Sequence, residues 1–421
     1  MIFLRLAFKS LWNRRLTTSL TILSIALSSA LLLSVSRIKR AAEDGFTQTI
    51  SQTDLIVGAR SGPINLLLYS VFNIGSATNN ISWETYQHFK AHPAVDWVIP
   101  YSLGDGHRGF RVVGTDDSFF EHYRFRGNQS IQLGEGNRLS GLWDVVLGSD
   151  VAKTLNYKLG DKIIVAHGVT SGEGVLKHDD KPFVVSGIMK ATGTALDRSV
   201  YITLQGLEGL HLDWQNGAMP KESERISPEK IHKEEIKVKT ITAFFLRSKS
   251  RIDTLRLQRE INTYLEEPML AIIPGVTLSE LWRGIGYVEQ AFQVISWLVV
   301  AVGLVAMLVA LLTGLNERRR EMSILRALGA SSSRIVALLV FESGLLTLVG
   351  VAFGFFVQLG AFVILQSWLE HEFGLVLQGS SLTSIEAFYL ILTFVAGVLI
   401  GLVPALRARS MALKDGLSVR V

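Results

Sequence analysis

The 421-residue sequence contains no cysteine, and only 19% of its residues are charged (Asp, Glu, Lys and Arg). A fold held together by disulfide bonds is therefore excluded. The sequence also lacks the G-x-x-x-x-G-K-[ST] pattern of nucleotide-binding loops, the H-E-x-x-H pattern of metalloproteases and the G-x-S-x-G pattern of serine hydrolases. We therefore predict that the chain is not an enzyme and does not hydrolyse nucleotides by itself.

Hydrophobic residues are abundant instead, at 48% of the chain with a mean hydropathy of +0.32. They are concentrated in four long runs, which are typical of membrane spans rather than of a soluble core. The runs are Leu16–Val35, Val288–Leu315, Ile335–Leu369 and Ile385–Leu406. The first run is longer than the apolar core of a signal peptide, and we interpret it as an uncleaved span.

Outside the long segment 41–287, lysine and arginine residues are concentrated in three segments, 1–15, 316–335 and 407–421. The positive-inside rule then predicts that both termini and the middle cluster are cytoplasmic, and that 41–287 lies outside. These clusters account for the net charge of +5, so no nucleic-acid partner is predicted. Three basic residues on the outer side of the first span oppose this orientation: Arg37, Lys39 and Arg40.

The spans predict an α+β membrane protein, with four transmembrane helices and a large mixed α/β domain between helices 1 and 2. The predicted segments are an N-terminal amphipathic helix, or a simple basic flank, at 1–15, transmembrane helix 1 with a stalk at 16–40, the outer domain at 41–287, transmembrane helix 2 at 288–315, a cytoplasmic helix at 316–334, transmembrane helix 3 at 335–369, an outer loop at 370–384, transmembrane helix 4 at 385–406 and a cytoplasmic tail at 407–421. Within the outer domain, short apolar runs predict strands at 54–59, 110–115, 144–149, 161–166, 182–188, 199–204 and 241–248, and patterning predicts helices at 149–160 and 250–267.

The segment NERRREMSILRALGASSSRI (316–335) separates the second and third apolar runs. Met322, Leu325 and Leu328 recur every three residues, which predicts one apolar stripe on a short helix. Gly329 then predicts the end of that helix. We expect the stripe to dock on another protein, because the short cytoplasmic segments offer it no partner.

The stretch RREMSILRALGASSSRIVALLVFESGLLTLVGVAFG (319–354) resembles the FtsX-like permease superfamily, which includes the membrane subunits of MacB-type and lipoprotein-releasing ABC transporters. The resemblance rests on the pattern R-x-E-x-x-[IVL]-x-R-A-[LI]-G-A, a glutamate in the next span, and spaced glycines. The tail LVPALRARSMALKDGL (402–417) resembles the family's P-A-x-x-A ending, although Met411 replaces the usual proline. YKLGDKIIV and FVVSGIM resemble the MacB-type periplasmic core domain.

The resemblance implies that the arginine-rich helix is a coupling helix seated on a separate dimeric ABC ATPase, which binds ATP and Mg²⁺, whereas this chain binds no cofactor. The matching residues are Arg319, Arg320, Glu321, Met322, Leu325, Arg326, Leu328 and Gly329. It also implies a bacterial inner-membrane location with both termini cytoplasmic. The other partners implied are a second permease copy or paralogue, membrane lipids, and a periplasmic adaptor or substrate-binding protein.

Three features inside the predicted spans and domain leave alternatives open. Glu342 is an intramembrane charge, and we favour a structural ion pair with a nearby arginine over a transmission or proton site. Gly350 and Gly354 form a G-x-x-x-G pair that predicts close helix packing. The run INLLLYSVF (64–72) is equally consistent with an exposed contact patch and with a buried helix.

Several side chains of the outer domain are of metal-ligand type, around the sequence KHDDKP. We favour a solvated turn here and predict no metal site, with His178, Asp179 and Asp180 retained as candidate ligands. The wider candidate set also includes His167, His211 and Asp213.

We predict the permease subunit of a MacB-like ABC transporter, which works by mechanotransmission and moves a hydrophobic or amphipathic substrate. The alternatives are a lipoprotein-releasing permease, an FtsX-like regulator of a periplasmic hydrolase, and a component of a metal-handling system. An outer domain of about 245 residues is at the upper end of domain sizes and favours transport over a small regulatory domain.

Overall fold

A computed structural model describes residues 11–12, 14–47, 49–168, 178–214, 225–327, 329–373 and 382–415. Residues 1–10 of the predicted N-terminal segment 1–15, residues 416–421 of the predicted tail 407–421, most of the predicted loop 370–384, and Leu328 lie outside the described residues. The chain divides into two compact units. Unit 1 consists of Met1–Ala42 and Ile285–Val421, and unit 2 of Glu43–Gly284.

The described residues form ten α-helices and fourteen strands. The helices are α1 (Arg15–Thr47), α2 (Pro63–Val71), α3 (Trp83–Lys90), α4 (Asp117–His122), α5 (Ser149–Leu155), α6 (Leu204–Gly209), α7 (Arg251–Asn262), α8 (Pro274–Ala327), α9 (Ser332–Phe373) and α10 (Ser384–Asp415). The strands are β1 (Leu55–Ala59), β2 (Ile81–Ser82), β3 (Val95–His107), β4 (Phe110–Thr115), β5 (Arg124–Phe125), β6 (Gln129–Ser130), β7 (Leu133–Gly136), β8 (Asp144–Leu147), β9 (Lys162–Ile163), β10 (Phe183–Met189), β11 (Ser199–Thr203), β12 (Thr240–Ile241), β13 (Ala243–Ser248) and β14 (Met269–Ile272).

Four helices of the described chain are long and apolar enough to cross a bilayer, which confirms the predicted number of spans. Their span segments are Arg15–Ala41, Pro274–Leu315, Ser332–Gln366 and Ser384–Ser410. The chain is therefore a multi-pass membrane protein, with one span near its N-terminus and three in its C-terminal part.

Helix α8 differs from the sequence-based expectation of a span followed by a separate short helix. It is one continuous helix of 54 residues, and it begins at Pro274 rather than at 288. Residues 316–327 contain neither proline nor glycine, so no breaker interrupts the helix there. The described helix extends to Ala327, and Gly329 has a φ of +89°, the left-handed conformation that terminates helices.

Helix packing in unit 1 brings backbones close together at glycine positions. A Cβ atom added at Gly350 would lie 2.8 Å from Ile25 Cβ of α1. One added at Gly354 would meet the backbone oxygen of Ala26 and lie 3.0 Å from Ser29 Cβ. The two glycines singled out in the sequence therefore lie directly against α1.

Unit 2 is built on a mixed sheet of ten strands in the described chain. Their order is β14-β1-β13-β3-β4-β11-β8-β10-β7, with β9 also paired to β10. The pairs β4–β11 and β8–β10 are parallel, and the others along this path are antiparallel. Helix α2 packs on this sheet with Leu66, Leu67 and Tyr69 buried. The run at 64–72 is therefore a buried helix rather than an exposed patch.

Strand β3 is the long element that joins the two halves of this sheet. It pairs with β13 from Val95 to Tyr101 and with β4 from Ser102 onward. A two-residue turn then reverses the chain into β4, with positive φ at Arg108 (+46°) and Gly109 (+91°), as a tight hairpin requires. The end of β3 next to this hairpin carries Asp105.

Candidate functional site

Four side chains of metal-ligand type converge in unit 2. They are Asp105, His167, His178 and His211, and one ligand atom from each lies within 4.8 Å of the others. They come from three separate places in the sequence: the end of β3, the two described ends of the connection between β9 and β10, and the turn after α6. The cluster therefore depends on the tertiary fold rather than on a local motif.

Backbone hydrogen bonds hold the first two of these places together. Gly106 and Ala166 exchange hydrogen bonds, N to O 2.9 Å in each direction, which sets His167 next to Asp105. The N–H of His178 donates to the carbonyl of Val165 at 2.9 Å, so His178 lies on the other side of the same short segment.

Helix α6 brings the third place to the cluster. Thr203 caps its N-terminus by accepting from Gly206 N, and the N–H of His211 donates to Glu208 O at 3.0 Å in the turn that follows. His211 Nδ1 lies 3.2 Å from the carbonyl oxygen of Leu207. An Nδ1–H donated to that oxygen leaves Nε2 of His211 as the free acceptor, on the side of the cluster.

Asp105 is at the centre of the cluster. His167 Nδ1 lies 3.1 Å from Asp105 Oδ1, and Nε2 of both His178 and His211 lies 3.9 Å from Asp105 Oδ2. The Trp214 ring packs against the same group, with its centroid 4.7 Å from those of His167 and His178. The aromatic ring shields one side, whereas His167 and His211 are about one-third exposed.

Burial disfavours the charged forms of His178 and Asp105. His178 is completely buried, and burial, followed by the charges of His211 and His167, lowers its pKa to about 3. It is therefore neutral at neutral pH. Burial also raises the pKa of Asp105, while His211 and His167 act in the opposite direction.

Four buried polar atoms of the cluster have no hydrogen-bond partner within the described part of the chain. They are Asp105 Oδ2, His167 Nε2, His178 Nδ1 and His178 Nε2. Leaving one buried polar atom unsatisfied costs about 1–3 kcal/mol. Asp105 Oδ2 and His178 Nε2 lie 3.9 Å apart, so a ligand bound between them would pair two of these four atoms.

The other acidic candidates do not join the cluster. The buried Lys181 donates to Asp180 and Asp213, each at 2.7 Å. Burial alone would raise the pKa of Asp213, but the hydrogen bonds from Lys181 and Ile226 N lower it. Asp179 is exposed and lies 3.5 Å from Arg225. These three carboxylates are engaged by basic side chains, and Lys181 ties the turn at 178–181 to Asp213.

In the arginine-rich segment, the first residue of the expected docking stripe, Met322, is buried rather than exposed. Met322 is 9% exposed and belongs to a buried cluster of unit 1 with Leu315, Ile335, Leu339, Ala405 and Ala408. It therefore packs inside this chain. Ile324, two residues later and about 200° around the helix, is 54% exposed. The side chains of Arg319, Arg320, Glu321 and Leu325, like the whole of Leu328, lie outside the described residues.

Two carboxylates of the predicted spans are buried. Glu342 on α9 is 4% exposed and is followed by the buried Ser343. Glu386 on α10 pairs with Arg37 of α1, whose Nε lies 3.0 Å from Glu386 Oε1. The sequence analysis singled out the first carboxylate and missed the second, although the basic cluster at Arg37 was the signal for a nearby acidic partner.

Comparison with known proteins gives two family matches that together cover most of the chain. Residues 18–264 match the MacB-like periplasmic core domain, and residues 293–413 match the FtsX-like permease C-terminal domain. The chain is 22% identical over 448 residues to an uncharacterised ABC transporter permease, YvrN, of Bacillus subtilis (strain 168), with 98% of each protein covered.

Two solved structures are also similar to this chain. The periplasmic region of MacB from Actinobacillus actinomycetemcomitans matches with a TM-score of 0.34 and 12% identity, over 55% of this chain and 94% of that one. The extracellular domain of the noncanonic ABC-type transporter YknZ from Gram-positive bacteria matches with a TM-score of 0.31 and 12% identity, over 52% and 98%.

The family assignment rests on the two domain matches and on the four spans. The core-domain match alone covers more than half of the chain, and the second match covers its three C-terminal helices. The protein therefore belongs to the MacB-type, FtsX-like family of ABC transporter permeases.

Proposed function

We propose that this chain is the membrane subunit of a MacB-like ABC transport system and that it couples ATP hydrolysis to conformational change in unit 2. The ATP and Mg²⁺ belong to a separate ATPase dimer. This chain works by mechanotransmission and moves a hydrophobic or amphipathic substrate. The chain lies in the bacterial inner membrane, with unit 2 outside and both termini in the cytoplasm. It pairs with a second permease copy or a paralogue.

The unbroken length of α8 is the observation that supports this proposal most. A helix of 54 residues is about 81 Å long, whereas the hydrocarbon core of a bilayer is about 30 Å thick. Near its start, Leu278 belongs to a buried cluster that includes Ile56 and Ile272 of the sheet. Near its end, the same helix contains the arginine-rich turns. The same continuous helix thus contains both Leu278 and the arginine-rich turns, and we expect it to carry a displacement from one to the other.

The turns before Gly329 supply the surface on which the ATPase docks. We define the docking surface as Ile324, Leu325, Leu328 and Gly329. Met322 is excluded because its own chain covers it, whereas Ile324 offers an exposed apolar side chain at the same level of the helix. Half-exposed Arg326 lies beside this surface and supplies a basic rim.

Substitutions in the docking surface test the coupling. In Ile324→Asp and Leu325→Asp, a carboxylate would be buried against the ATPase without a partner, at a cost of about 3 kcal/mol or more. This corresponds to at least about a hundredfold weaker association. The affinity-tagged chain is purified from the membranes of its native host, and the co-purifying ATP hydrolysis is measured.

The controls are Ile324→Leu, which keeps the apolar character, and Arg320→Ala, which removes a charge worth roughly 0–1 kcal/mol in an exposed pair. Both should retain the ATPase, and all variants should elute as the wild type does in detergent. The coupling proposal fails if both aspartate variants retain the ATPase at the wild-type yield.

A further inference from the structure

The cluster of Asp105, His167, His178 and His211 has the composition of a transition-metal site. Imidazole nitrogens together with one carboxylate suit Zn²⁺, Cu²⁺ and Ni²⁺, whereas Mg²⁺ and Ca²⁺ prefer sites made of oxygen ligands. Three neutral imidazoles and one carboxylate also leave a divalent ion with a net charge of +1. We propose that these four side chains bind one divalent transition-metal ion, and that Zn²⁺ is the ion the site favours.

The dimensions of the cluster are close to those of a four-coordinate site. Zn²⁺ binds histidine nitrogens and carboxylate oxygens at about 2.0–2.1 Å, so tetrahedral ligand atoms are about 3.3 Å apart. Here the measured separations from Asp105 are 3.1 Å and 3.9 Å, and all four ligand atoms fall within 4.8 Å of each other. Side-chain rotations that move each ligand atom by less than about 1.5 Å would close the site around an ion.

The buried atoms of the cluster point to an ion independently of the residue types. His178 has no exposed surface, Asp105 is 8% exposed at its side chain, and each contributes an atom with no hydrogen-bond partner within the described ranges. Buried polar atoms are normally paired, and a metal ion would pair Asp105 Oδ2 and His178 Nε2, which lie 3.9 Å apart.

The surroundings support the ligands in the manner of established metal sites. The Leu207 carbonyl orients the ring of His211, and such outer partners fix which ring nitrogen faces the ion. Lys181 holds Asp180 and Asp213, so neither carboxylate competes for the ion, and the turn that carries His178 is fixed. The partial exposure of His167 and His211 leaves a route for the ion from solvent.

An ion at this position would link β3, the two described ends of the connection between β9 and β10, and the turn after α6. Occupancy therefore stabilises unit 2, whatever the ATPase partner does. The inference is independent of the proposed function, because it concerns ion binding by this chain alone and its failure would leave the docking surface untouched.

The test uses the full-length chain, purified in detergent with an affinity tag that contains no histidine and stripped with EDTA. After dialysis against Zn²⁺, metal analysis should find about one Zn²⁺ per chain. At Zn²⁺ concentrations about a hundredfold above the Kd, the Tm of unit 2 should rise by about 5–10 °C. Mg²⁺ at the same concentration should have no such effect.

Substitutions distinguish the proposed metal ligands from neighbouring residues. His178→Ala and His211→Gln should each weaken Zn²⁺ binding by at least about tenfold, since even an outer partner of a ligand contributes that much. Asp179→Asn is the matched control, because Asp179 is exposed and lies beside Arg225 rather than in the cluster. It should bind Zn²⁺ as the wild type does.

If His178→Ala does not fold, the test rests on the one-third-exposed residues, in His211→Gln and His167→Gln. Wild-type Zn²⁺ binding in both of these variants would overturn the proposal. So would a wild-type chain that retains no Zn²⁺ after dialysis and shows no Zn²⁺-dependent rise in Tm, in which case the cluster is a metal-free polar core.

Discussion

At the scale of single residues, the buried arginine of α1 accounts for an anomaly in the distribution of charge. Arg37 donates from Nε to Glu386 Oε1 at 3.0 Å and from Nη2 to Oε2 at 3.4 Å. Arg40 lies 3.6 Å from the same carboxylate, and Lys39 lies 2.7 Å from Glu289. Each basic residue that opposed the predicted orientation thus has an acidic partner in unit 1, and the two carboxylates offset two of the three positive charges.

Removing the carboxylate of Glu386 should lower the stability of the chain. Glu386→Gln leaves the guanidinium of Arg37, which is 8% exposed, without its charged partner. Breaking a buried ion pair from one side typically costs about 3–5 kcal/mol. We expect the thermal stability of the purified chain to fall accordingly, as measured by the loss of its monodisperse peak after heating.

The half-exposed pair of Lys39 and Glu289 provides the comparison. Glu289→Gln should change stability by no more than roughly 1 kcal/mol, because exposed pairs contribute little. The double substitution Arg37→Met with Glu386→Leu should recover most of the loss, since no charge then remains buried. Equal stability of Glu386→Gln and the wild type would contradict this account.

The candidate metal cluster shows at the same scale what a sequence can and cannot reveal. His167, His178 and His211 could be named from their chemistry alone. Asp105 could not, because it meets the histidines only through the bridge between Gly106 and Ala166. Conversely, Asp180 and Asp213 were plausible ligands by type, but the buried Lys181 engages both.

At the scale of elements, compact apolar strands were predictable and the longest strand was not. The runs at 54–59 and 110–115 correspond to β1 and β4, because each is a short apolar run bounded by turn residues. Strand β3 contains Pro100, Gly104 and Gly106, which weaken any strand signal. Pro100 is tolerated beside the point where β3 changes partner from β13 to β4.

The contact between α9 and α1 can be tested by enlarging one glycine. In Gly354→Ala the new methyl group would collide with the backbone of Ala26, which cannot give way as a flexible side chain does. We expect a loss of thermal stability of about 1–3 kcal/mol from overpacking. The measurement is the midpoint temperature of unfolding in detergent.

Gly360, on the same helix, is the matched control because a Cβ there meets nothing within 4 Å. Gly360→Ala should be neutral or should gain up to about 1 kcal/mol from helix propensity. The packing account is contradicted if both alanine variants behave alike.

At the scale of the whole molecule, the predicted orientation follows from a charge count and can be checked directly. The chain has no cysteine, so single cysteines report without background. Leu265→Cys, at a position 99% exposed in unit 2, should react with a membrane-impermeant thiol reagent applied to intact cells. Ser333→Cys, at an exposed position at the start of the third span segment, should react only after the membrane is opened.

Reaction of both cysteines from outside would require a different number of crossings between positions 265 and 333. The wild-type chain should stay unlabelled under every condition. A labelled Ser333→Cys together with a protected Leu265→Cys would instead reverse the orientation while keeping the four spans.

Because α8 is one continuous helix, the number of residues between two positions in it sets the angle between their side chains. With 3.6 residues per turn, one residue inserted between Leu278 and Met322 would rotate everything after it by about 100° and advance it by about 1.5 Å. Met322 would then leave the buried side that it shares with Leu315 only if the insertion fell between those two residues. Seven inserted residues would restore the direction to within about 20°. The spacing of seven residues between Leu315 and Met322, about two turns of helix, therefore keeps both on one buried side, and an insertion between them is tolerated only when it is close to whole turns.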